Sequence, residues 1–115
     1  MVVTWQDKAL AQDDEKVYNF VAIKNPPTYP GGVASFYRFI SSNIKNPDSE
    51  IQGNVHVSFI VEKDGTLNNI KILRKLGKAQ DEEAIRVLKL SKTWNPGLID
   101  EKPVRVQYNI PVKFN

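Results

Sequence analysis

The sequence predicts an α+β domain in which two helices pack on one face of a three-stranded antiparallel sheet. Three observations predict it. Residues 104–115, "VRVQYNIPVKFN", alternate apolar and polar side chains as a half-buried strand does. "NVHVSFIVEKDGTLNNIKILR" holds two more apolar-rich runs around an Asp64-Gly65 pair, a strong short-range hairpin signal. "VASFYRFI" and "DEEAIRVLKL" instead space their apolar residues as one face of a helix. The order helix, strand, strand, helix, strand is satisfied economically when both helices cover one sheet face.

Taken in order, residues 1–16 are polar and acidic and read as a tail, and Val17–Ile23 is β-branched and aromatic and reads as an extended arm. Pro26, Pro27 and Pro30 keep the next stretch out of a helix. The division is an N-terminal linker or arm over residues 1–25 and one domain over 26–115. The first helix begins near Gly31–Gly32, with Val33, Phe36, Tyr37, Ile40 and Ile44 on its buried face, and Pro47 stops it. Closing the hairpin on a two-residue loop pairs Lys63 with Thr66, Phe59 with Ile70 and Val57 with Ile72. The second helix covers "QDEEAIRVLKLSK", with Asp81 as its N-cap and Ala84, Ile85 and Leu88 buried. Trp94 reads as a core or rim plug, and "NPG" then turns the chain through "LIDEKP" to the last strand. Pro111 interrupts that strand's supply of donors, which places the strand at an edge of the sheet.

Composition restricts the chemistry. The 115 residues include no cysteine and one histidine, so disulfides, thiol nucleophiles and thiolate metal sites are excluded. No metal or cofactor is expected, His56 having no second histidine or cysteine beside it. Asp64 is accounted for by its turn, and the acids Asp81, Glu82 and Glu83 by the helix dipole. No phosphate-cradling glycine motif and no nucleophile with its base is present, so an enzyme is not expected. The net charge of +3 is small. The outer sheet face carries His56, Ser58, Ile60, Lys71, Arg105 and Gln107 without an aromatic for base stacking, so nucleic acid is not the expected partner. Lys71, Arg74, Lys75 and Lys78 form a basic cluster, read as a solvated surface or, alternatively, as an anion-binding one.

The stretches "TYPGGVASFYRFISSNIKNP", "IQGNVHVSFIVEKDGTLNNIKILR", "DEEAIRVLKLSKTWNPG" and "KPVRVQYNIPVKFN" together resemble the C-terminal domain of TonB-type energy transducers over roughly residues 26–115. The resemblance implies a periplasmic, non-enzymatic domain that grips the TonB box of an outer-membrane transporter by strand addition. It also implies an inner-membrane motor complex engaged through a membrane helix and proline-rich spacer upstream of this fragment. By position, the partner-binding residues it implies are Tyr29, Pro30, Arg105, Gln107, Asn109, Pro111 and Lys113, in a monomer or weak dimer. Pro26 and Pro27 stand where better-known transducers carry polar residues that contact the box. Two other readings remain: the same fold in another envelope protein, such as a sensor, a peptidase-associated domain or a TolA-like adaptor, and a basic anion- or nucleic-acid-binding domain.

Overall fold

The computed structural model describes residues 15–115; most of the expected tail, residues 1–14, lies outside them. The elements are β1 (Val17–Asn19), a 3-10 turn (Phe20–Ala22), α1 (Val33–Asn43), β2 (Gly53–Val61), β3 (Leu67–Arg74), α2 (Lys78–Lys89), β4 (Gly97–Ile99) and β5 (Lys102–Phe114). The class is as expected, α+β with two helices, but the sheet has five strands rather than three. Its order is β1-β5-β2-β3, with β4 paired to β5.

The two extra strands have local causes. Ile99 pairs with Lys102, so Asp100 and Glu101 form a two-residue connection, with φ of 50° and 66°. Positive φ at both positions belongs to a hairpin turn that normally pairs Asn or Asp with Gly, so "DE", with Glu in the glycine place, gave no hairpin signal in the sequence. β1 pairs in parallel with β5, Val17 opposite Arg105 and Asn19 opposite Gln107. The expected arm is therefore joined to the sheet at these three residues. β5 is consequently not an edge along its whole length.

The central hairpin closes on three residues, not two. The Glu62 N–H donates to the Thr66 carbonyl at 2.8 Å and the Gly65 N–H to the Glu62 carbonyl at 2.8 Å, with Gly65 at φ +85°. The expected Lys63–Thr66 pair is thereby replaced by Glu62–Thr66. An irregularity between Ser58 and Ile60 absorbs the slip, with Asn69 at φ 52°, so Val57 still faces Ile72 and Ser58 faces Lys71. A second irregularity puts His56 opposite Arg74.

Val55, Val57, Phe59 and Val61 of β2 and Val106, Ile110, Val112 and Phe114 of β5 are buried on the helix side. Onto them α1 presents Phe36 and Ile40. The expected stripe on α1 is thus too wide: Val33 is 63% and Tyr37 40% exposed. α2 starts earlier than expected, at Lys78 behind Gly77, and buries Gln80, Ala84, Val87 and Leu88, while Ile85 stays half-buried. Asp81 is not the N-cap. It lies within the first turn, where its Oδ1 accepts from the Leu76 N–H at 3.0 Å. Gln80 is buried because its amide donates to Asn46 Oδ1 at 3.1 Å, and Asn46 in turn donates to the carbonyls of Ile51 and Asn115.

Candidate functional site

Trp94 organises the ground beneath the site. It is 4% exposed, and the rings of Tyr29, Phe36, Phe59 and Tyr108 lie 4.9–5.5 Å from its own. Its Nε1 has no hydrogen-bond partner among the described residues, and the cage around it is aromatic. Main-chain bonds fix it: the Trp94 N–H donates to the Gly65 carbonyl at 2.8 Å, and Asn95 and Thr28 exchange bonds of 2.8 and 3.1 Å. The second pair draws the Pro27–Tyr29 segment over Trp94, so Pro27 and Tyr29 are buried.

β5 lies on this core with one side committed. Nine consecutive pairs, from Gly53–Phe114 to Val61–Val106, tie it to β2 without a register shift. Pro111 is opposite His56. A proline gives the ladder no N–H, so an intact ladder requires it at a position whose main chain points away from β2. Because bonding alternates along an antiparallel pair, Arg105, Gln107, Asn109 and Lys113 turn their main chain the same way. β1 covers that side at Arg105–Gln107. From Tyr108 to Phe114 no described strand pairs with it.

A groove separates this free side from α1. Near the end of β5 it is walled by Tyr37, Arg38 and Ile44 and by Pro111, Lys113 and Phe114, and holds about 840 Å³. A smaller hollow of about 170 Å³ lies beside Tyr108, Asn109 and Ile110, with Tyr29, Val33 and Tyr37 opposite. Tyr37 borders both. Burial, and then the neighbouring Tyr108 phenol, raise the Tyr37 pKa, so its hydroxyl stays neutral and can both donate and accept at the rim. The geometry can receive an extended chain: free main-chain groups on one wall, apolar and aromatic side chains on the other.

The residues singled out in the sequence separate into three groups. Asn109, Pro111 and Lys113 stand exposed along the free stretch. Arg105 and Gln107 lie under β1, and the Arg105 guanidinium is engaged by Glu62, Nε to Oε1 at 2.7 Å. The Arg105 hydrogen bonds hold the Glu62 carboxyl below its ordinary range. Tyr29 is a core residue, 4% exposed, beside an exposed Pro30. The α1 wall of Val33, Tyr37, Arg38 and Ile44 was missed. Its signal was present, since a buried helical stripe wider than its partner sheet leaves apolar residues at the margin. Among the described residues no group of His, Cys, Asp or Glu could hold a metal ion, and no helix is long and apolar enough to cross a membrane.

Residues 47–115 match the family model for the Gram-negative bacterial TonB protein C-terminal. The fold is similar to the NMR solution structure of Helicobacter pylori TonB-CTD (residues 194–285), with a TM-score of 0.58 at 23% identity over 72% of this chain and 91% of that one. No curated protein matches the chain.

Proposed function

The chain belongs to the TonB C-terminal family, and from that premise we propose that it is the periplasmic interaction module of a TonB-type energy transducer. It takes the N-terminal box of an outer-membrane transporter as an added strand on the free side of β5 and carries the pull of a proton-driven inner-membrane motor. It performs no catalysis.

One observation carries the reading. The free side of β5 from Tyr108 to Phe114 is continuous in register, lies over the core and opens into a groove walled by α1. Asn109 and Lys113 offer a donor and an acceptor each, and Pro111 an acceptor alone. Main-chain bonds depend little on the partner's side chains, which suits one module to many transporters. An added strand directs alternate side chains toward α1, so apolar residues two apart reach the hollow beside Asn109 and the wider groove that begins at Pro111.

The test is a titration of the 15N-labelled chain with a synthetic peptide of a transporter's N-terminal segment. Amide shifts and slowed exchange are expected at Asn109 and Lys113 and on α1 around Tyr37, with a scrambled peptide inert. Changes confined to β3 or to the Lys71–Lys78 cluster, or falling steeply with salt, would overturn the reading in favour of an anion site.

A further inference from the structure

The first part of the outer side of β5 is already occupied. Val17–Asn19 runs parallel to Arg105–Gln107, while the other strand pairs among the described residues are antiparallel. Its ties are few. Arg105 Nη1 donates to the Glu15 carbonyl at 2.8 Å, and the Phe20 ring lies 4.6 Å from that of Tyr108, where the free stretch begins. Burial is missing: no residue of β1 or of the 3-10 turn is buried, and Val21 is 77% exposed. A three-residue strand with no buried side chain belongs to the least stable part of a fold, whereas β5 itself is anchored by Val106 and Ile110, which are 0% and 5% exposed.

We propose that β1 is a displaceable strap that covers the front of the partner-binding edge in cis. The inference rests on the strand-addition reading above. With the strap seated, a partner pairs with roughly seven residues, from Tyr108 to Phe114, or about 23 Å of strand. With it released, the main chains of Gln107 and Arg105 join the ladder and the Tyr108 ring loses its Phe20 cover. Strap and partner compete for the same main-chain groups, so a long partner binds more weakly by the factor needed to open the strap. Parallel pairing makes this exchange orderly. Asn19, at the strap's C-terminal end, borders the free stretch, so a growing partner ladder meets the strap at Asn19 and Phe20 and removes it one pair at a time.

The chain has no cysteine, so Asn19→Cys combined with Gln107→Cys creates a single disulfide across a β1–β5 pair. Transporter peptides of roughly seven and eleven residues that share the end pairing opposite Phe114, the longer one extended only toward Arg105, are titrated into reduced and oxidised protein. The longer peptide is expected to bind reduced protein about tenfold tighter than the shorter, and to lose that gain on oxidation. An equal gain in both forms, or no gain in the reduced form, overturns the strap. If neither peptide binds reduced protein, the strand-addition reading has failed, and amide exchange on the wild-type chain judges the strap by itself. Arg105 and Gln107 should then exchange roughly tenfold or more faster than Val106 and Ile110, and equal protection overturns it.

Discussion

At Gly65 two constraints meet that the sequence showed only in part. The Asp64-Gly65 pair announced a turn glycine, and φ is +85°. The fold adds a neighbour, because a Cβ at Gly65 would overlap the Trp94 carbonyl oxygen and lie 2.7 Å from Thr93 Cγ2. Gly65→Val is therefore expected to destabilise the domain by about 2–4 kcal/mol, combining backbone strain with displacement of the Trp94 segment. Urea unfolding checks it; an unchanged midpoint would mean that Trp94 is not held by this turn. The Glu62–Arg105 pair gives a pH dependence of defined sign. The hydrogen bonds from Arg105 lower the Glu62 pKa in the folded state. Its stabilising contribution is thus full above the ordinary glutamate range and is lost as pH falls through the lowered folded value. Wild type should lose more stability than Glu62→Gln on acidification from neutral, and parallel stability curves for the two proteins would contradict the assignment.

Along β5 the alternation of main-chain direction separates neighbouring residues. Asn109 is exposed and turns its main chain outward, so Asn109→Pro should leave the circular dichroism spectrum and unfolding midpoint nearly unchanged while weakening box-peptide binding about fivefold, the loss of one edge donor. Tyr108 turns inward, pairs with Phe59 and stacks on it at 6.0 Å, so Tyr108→Pro should unfold the chain. The reverse result would mean that β5 faces β2 with the other set of residues. How much of this was legible followed the length of each element. β2 and β5 declare themselves because alternation over nine and thirteen residues is a long signal. β1 and β4 are three residues each, too short for any period to register, and the Asp100-Glu101 turn has glutamate where such a turn usually takes glycine. The helices were found but rotated or shifted. Val33 and Tyr37 share the apolar face of α1 yet overhang the sheet, and Gln80 was passed over as polar because its partner, Asn46, lies 34 positions away. The candidate site was half visible: Pro111 marked the free side of β5, whereas the opposing α1 wall and the covering strap depend on tertiary placement.

Viewed as a whole, the sheet ends in two sides that could recruit another chain, and they are protected differently. β3 is irregular against β2 at two places, turns sharply at Asn69 and carries Lys71 and Arg74, features that spoil a continuous ladder. The free stretch of β5 has no register shift against β2, so its protection against the wrong partner falls to Lys113 and to Pro111. A proline at the centre of this stretch discriminates between partners by count. When a peptide adds to the edge, one donor is missing from the new ladder. When two copies of the chain pair edge to edge about a two-fold axis, each contributes the proline, so two donors are missing. At about 1 kcal/mol for each hydrogen bond, the second loss costs the self-complex roughly fivefold more in affinity than it costs the peptide complex. Pro111→Val restores a donor in a strand-compatible residue that is already exposed, and so should strengthen self-association by about thirtyfold, about 2 kcal/mol for two donors, while strengthening peptide binding by only about fivefold. Sedimentation velocity across a concentration series in which wild type is monomeric reads the first effect, and the peptide titration reads the second. A variant that stays monomeric at every concentration while binding peptide more tightly would assign the protection to Lys113 instead.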